Sequence, residues 1–77
     1  MVTQPLSSLP VGQTAKVVSC MAGRDCRARL TSMGLTLGSE VSVVRRGRGP
    51  VLVATRGTRL AIGRGMADKI MVSPLES

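Results

Sequence analysis

No histidine, phenylalanine, tyrosine or tryptophan occurs anywhere in these 77 residues. Without His, the commonest general base and the commonest metal-binding side chain are both missing. The acids Asp25, Glu40, Asp68 and Glu76 are dispersed and show no paired-carboxylate spacing. No glycine-rich, phosphate-cradling loop ends in Gly-Lys-Ser/Thr; the stretch Gly63-Arg64-Gly65 lacks that Lys and reads as a bend. The chain is therefore expected to be no enzyme in its own right and to carry no cofactor. The missing aromatics also remove the platforms on which single-stranded nucleic acids stack, which leaves only arginine contacts to phosphate and places nucleic acid low among partners. No apolar run approaches the ~20 residues of a membrane-spanning helix. Residues Met1 to Gly12 have neither the basic nor the apolar region of a secretory signal. Both absences point to the cytoplasm.

What is present is positive charge and branched aliphatic side chains. Eleven Lys and Arg stand against four acids, for a net charge of +7 at pH 7. Ten of those eleven lie between Arg24 and Lys69, and from Val41 to Ala67 there are six arginines and no acid. Such a field attracts anionic partners: nucleic acid, an acidic protein surface or a negatively charged membrane face. The plainer reading is that the charge only keeps a small domain soluble. The length bounds the chain to one domain, residues 1–77 with an ordered part of about 5–74, and to one small core. That core must be built from Val, Leu, Ile, Met and Ala, whose branched members suit strands.

The pattern along the chain is predominantly β. Leu6-Ser7-Ser8-Leu9-Pro10 reads as a short turn that lays Leu6 and Leu9 across one end of the core. Strands are predicted at Thr14 to Met21, Val41 to Arg46, Val51 to Arg56, Arg59 to Ile62 and Lys69 to Ser73. Arg24 to Met33 is the one helix, with Cys26, Leu30 and Met33 on a single face. Its end is specific: Gly34 at C′ takes the left-handed conformation and Leu35 at C″ packs back on Leu30. Gly38 supplies the next turn. Gly57-Thr58 fits a two-residue hairpin, and Gly63 opens a corner that accommodates one helical turn. Five short strands and one inserted helix predict a mainly β fold, a small five-stranded barrel whose closure removes open sheet edges.

A hairpin centred on Gly57-Thr58 sets Arg56 opposite Arg59 and Ala54 opposite Ala61, with Leu52 on the same outer face. Facing arginines repel, so either an anionic partner neutralises them or their long, flexible side chains splay apart into water. The partner-binding candidates are accordingly Arg45, Arg46, Arg48, Leu52, Arg56, Arg59 and Arg64. Cys20 and Cys26 are the only soft ligands. Their spacing is not that of a zinc site, and even with Asp25 the set Cys20, Asp25, Cys26 falls one ligand short. In a reducing compartment the two thiols are expected to stay free and to act as small buried hydrophobes.

The order of these signals resembles one known family. Leu6-x-x-Leu9-x-x-Gly12 is followed by Arg29-Leu30-x-x-Met33-Gly34-Leu35-x-x-Gly38. Then come Val41-x-Val43, Gly49-Pro50-Val51, Gly57-x-x-Leu60-Ala61-Ile62-Gly63, Ala67 and Ile70-x-Val72. Over about residues 5 to 74 the chain resembles the FeoA family, the small ferrous iron transport protein A. The resemblance implies an SH3-like barrel with inserted helices. It implies a cytosolic role beside FeoB, the ferrous iron transporter with a cytoplasmic GTPase domain, through which the chain would reach the inner membrane surface. Related domains end iron-dependent repressors; a chain with no DNA-binding helix-turn-helix fits the transport component instead. Leu37 stands where the family often has Pro. The family pattern is mostly fold-building, so it transfers no catalytic residues. The expected function is an interaction module that regulates the transporter. The alternatives are direct binding of iron or another transition metal, and nucleic-acid binding. Homo-oligomerisation stays open.

Overall fold

In a computed structural model, residues 2–21 and 23–75 are described, and they form one antiparallel sheet with two short helices. The strands are β1 (Gln4–Pro5), β2 (Thr14–Cys20), β3 (Glu40–Arg45), β4 (Val51–Thr55), β5 (Thr58–Ile62) and β6 (Ile70–Pro74). Helix α1 spans Gly23–Ser32 and helix α2 spans Arg64–Ala67, while Leu6–Ser8 makes a single 3-10 turn. The strand order is β1-β6-β2-β3-β4-β5. The mainly β, SH3-like architecture expected from the sequence is present, but with six strands in place of five. The extra one, β1, is two residues long and pairs Gln4 with Val72 and Pro5 with Met71. It has no alternation to read and contains a proline, which sheets tolerate only at an edge. The expectation of closure needs correcting too. β1 and β5 end the sheet order without pairing to each other, so two edges persist.

The core follows from alternation. Ala15 and Val17 of β2, Val41 and Val43 of β3, Val51 and Val53 of β4, Ile62 of β5 and Ile70 and Val72 of β6 all point inward and are buried. Leu6 and Leu9 at the 3-10 turn and Leu30 and Leu35 at the exit of α1 join the same core, each almost fully buried. Two polar residues share this interior. Thr55 donates its hydroxyl to the Glu40 carbonyl at 2.9 Å, and the buried Ser39 hydroxyl accepts from the Thr36 amide at 3.0 Å. Among the described residues no buried side-chain polar atom lacks a partner.

The exit of α1 is set by Gly34 and Leu35. Gly34 has φ +85°, the Leu35 amide donates to the Leu30 carbonyl at 2.8 Å, and the Gly34 amide donates to Thr31 at 2.9 Å. These are the two crossed bonds of a Schellman stop. No neighbouring atom lies within 4 Å of where a Gly34 side chain would begin, so any penalty there comes from φ alone. Gly34→Ala is expected to cost about 1–2 kcal/mol, read as a lower urea midpoint with unchanged slope. An unchanged midpoint would contradict the left-handed exit.

The cysteines depart from expectation. Cys20 at the end of β2 and Cys26 in the first turns of α1 are joined as a disulfide, with Cα atoms 6.3 Å apart. Spacing in the chain misleads here, because the chain enters α1 at Gly23 with φ +76°, a left-handed step that glycine takes readily. It brings the two side chains within the Cα separation that a disulfide spans. Cys26 is still a buried small side chain, as expected, but its partner is the other sulfur.

Candidate functional site

β3, β4 and β5 carry most of the acid-free arginine stretch, and their register decides which cations share a face. β4 alternates strictly: Val51, Val53 and Thr55 are buried, whereas Leu52 and Ala54 are half-buried on the opposite, outer face. Across the hairpin Leu52 pairs with Ala61 and Ala54 with Arg59. On the other side Ala54 pairs with Ser42 and Leu52 with Arg45. The β3 register shifts between Val43 and Arg45, so Val44 and Arg45 together oppose Leu52. Such a bulge re-aims the strand, and it sets Arg45 in the outer row with Leu52 and Ala61. The outcome is a surface with Leu52 and Ala54 in the middle, Arg45 on the β3 side and Arg59 and Ala61 on the β5 side. Strand spacing and rise place the two arginine Cα atoms roughly 12 Å apart.

The predicted register of the hairpin is corrected by two residues. The turn consists of Arg56 and Gly57, with φ +49° and +79°, and Thr55 pairs with Thr58. Positive φ at both central positions is the type I′ geometry whose twist suits a two-residue hairpin. Arg56 therefore does not face Arg59, and the anticipated like-charge repulsion is absent; Arg59 faces Ala54 instead. The inward and outward assignment of Leu52, Ala54, Arg59 and Ala61 holds, because a shift of two residues preserves faces.

The remaining candidates are distributed. Arg46 is committed to the fold: its Nη1 donates to the Ser7 carbonyl at 2.8 Å and the Leu9 carbonyl at 3.1 Å. It thereby ties the end of β3 to the 3-10 turn, a contact across nearly forty residues that no local pattern announces. Arg48 lies in the exposed loop between β3 and β4, Arg56 sits at the hairpin tip, and Arg64 is exposed at the start of α2. The structure thus brings Arg45, Leu52 and Arg59 together and leaves Arg46, Arg48, Arg56 and Arg64 outside that face.

Two shallow clefts flank α1, and sequence patterning missed both. One, of about 290 Å³, is lined by Asp25, Cys26, Arg29, Met66 and Lys69; the other, of about 300 Å³, by Arg27, Leu30, Thr31, Leu35, Thr36 and Leu37. The first holds two of the three weak metal candidates, but the thiols of Cys20 and Cys26 are bonded to each other. Among the described residues no three Cys, Asp or Glu side chains gather into a metal-holding group. No helix of the described chain is long and apolar enough to cross a membrane.

Comparison with known proteins agrees with this architecture. The FeoA domain profile matches residues 4–74. A Methanocaldococcus jannaschii protein named as Fe(2+) transport protein A is 43% identical over 72 residues, covering 94% of this chain and 88% of the relative. A crystal structure described as the iron uptake regulatory protein FeoA superposes with a TM-score of 0.88 at 37% identity, covering 97% of this chain and all of the other. A manganese-dependent transcriptional repressor superposes with a TM-score of 0.89 over 97% of this chain but only 38% of its own; at 24% identity the likeness is one of fold.

Proposed function

The chain belongs to the FeoA family, and from that premise we propose that it is a cytoplasmic accessory protein of ferrous iron uptake. It binds and regulates the cytoplasmic GTPase region of a FeoB-type transporter, and meets the membrane only through that partner. The observation that carries this reading is the outer face of β3, β4 and β5. Apolar Leu52 and Ala54 at the centre, with Arg45 on one flank and Arg59 and Ala61 on the other, have the composition of a protein interface: arginine is enriched there, and apolar area sits at the middle. That face carries no aromatic and no thiol, and its Ser42 hydroxyl is already bonded to Thr14 at 2.7 Å. The chain's role is therefore recognition, with the chemistry supplied by the partner.

Titrating the chain with the transporter's isolated cytoplasmic region tests the proposal. Saturable binding in the micromolar range is expected. The double variant Arg45→Glu/Arg59→Glu should weaken it at least about tenfold, since reversing charge sets like charges against the partner. The two side chains are exposed, so folding should survive. Absence of binding by the unaltered chain at these concentrations would end the proposal.

A further inference from the structure

β5 is the last strand of the sheet, and its pairing fixes the direction of each backbone group. In a hairpin closed by a two-residue turn, the residues flanking the turn form a hydrogen-bonded pair, and the alternation then runs down the ladder. Thr58, Leu60 and Ile62, opposite Thr55, Val53 and Val51, are therefore the residues bonded to β4. Arg59 and Ala61, opposite Ala54 and Leu52, turn their N–H and C=O groups away from β4. Among the described residues no strand lies on that side and no other backbone bond reaches them. Both residues are exposed. The edge thus presents two outward donors and two outward acceptors at the spacing of a strand, an open template for one more.

We propose that this β5 edge is where the partner docks, by adding an extended, acidic segment as a further strand beside Arg59 and Ala61. The inference rests on the partner-binding reading and names its surface and chemistry. Charge complementarity selects the occupant. From Val41 to Ala67 the chain carries six arginines and no acid, so an incoming strand meets Arg59 on the edge itself, Arg56 at the adjacent tip and Arg64 just beyond. Acidic side chains on the outer face of the added strand would lie against Arg59, while apolar ones between them extend the Leu52, Ala54 and Ala61 surface. A second copy of the chain is disfavoured as occupant, because each copy brings its own Arg59 and a net charge of +7. Main-chain bonds would supply affinity and alternate side chains specificity, as in other strand-addition complexes.

The direction of the amides gives a selective test. Ala61→Pro removes an N–H that faces solvent and leaves the β4 ladder intact, the placement at which an edge strand accepts proline. With the transporter's cytoplasmic region as probe, Ala61→Pro is expected to lose at least tenfold in affinity while Leu37→Ala, outside this face, keeps it within about twofold. Hydrogen exchange on the unaltered complex reads the same contact without any variant: the Arg59 and Ala61 amides, fast in the free chain, should slow at least tenfold when bound. If the unaltered chain binds yet Ala61→Pro binds equally and both amides stay fast, the edge proposal is overturned and the partner reading stands. If the unaltered chain fails to bind, both fall. Slow amides in the free chain accompanied by dimer in sedimentation would make a second copy the occupant and would equally overturn the proposal.

Discussion

Replacing Leu30 by alanine is expected to lower the unfolding free energy by about 3 kcal/mol, within the range for a buried leucine that leaves a cavity. Leu30 is 2% exposed and its carbonyl receives the Leu35 amide, so this residue packs helix α1 into the core, with Cys26 and Leu35, and anchors the chain's exit from it. A chain of this size has on the order of 4–11 kcal/mol of stability in total, so the loss is a large share. The melting midpoint should fall by roughly 12–24 °C. Leu37 is the internal control: it lies seven residues on in the same segment but is 47% exposed, and Leu37→Ala should cost less than about 0.5 kcal/mol. Similar losses for the two variants, measured by urea unfolding, would contradict the packing described here.

Opening the Cys20–Cys26 bond should be the next largest effect. The bond closes a short loop, six positions apart in sequence, and chain-entropy reasoning assigns such a loop about 2 kcal/mol. A dithiol reductant should lower the melting midpoint on the order of 10 °C and raise the titratable thiols from none to two. Cys20→Ser/Cys26→Ser should melt near the reduced chain and be indifferent to reductant. An unaltered chain whose midpoint ignores reductant would contradict a stabilising bond. The bond pins the start of α1 to the end of β2, and a reducing compartment opposes it. In the cytoplasmic setting proposed above, the pair would then spend much of its time as adjacent thiols, with α1 held mainly by Leu30 and Leu35.

Local chemistry was legible in the sequence; long-range geometry was not. The α1 exit is written in the six positions from Leu30 to Leu35, since glycine is the residue that tolerates φ +85° at position 34 and the buried Leu30 and Leu35 bracket the stop. Strand bounds were correct to within a residue because β-branched side chains alternate against fixed turns. The hairpin was misread because a lone Gly57 admits two neighbouring two-residue turns, and the one adopted puts an arginine at positive φ, which local preference disfavours. The β3 bulge that turns Arg45 outward adds no signature residue. Arg46 resembled every other exposed arginine, since its acceptors, the Ser7 and Leu9 carbonyls, lie far away in sequence. The disulfide is not legible either, since a separation of six positions fixes neither the 6.3 Å between the two Cα atoms nor the direction of their side chains.

At the centre of this account is the claim that an arginine-bordered outer face recruits an acidic protein partner. Its most direct test is a calorimetric titration of the unaltered chain with the cytoplasmic region of a FeoB-type transporter, repeated between about 50 and 300 mM salt, where screening of exposed charge strengthens steeply. The account predicts one-to-one saturable binding that weakens at least tenfold across that range, and a flattened salt response for Arg45→Glu/Arg59→Glu. Binding of equal strength at both salts, or none at either, would contradict it.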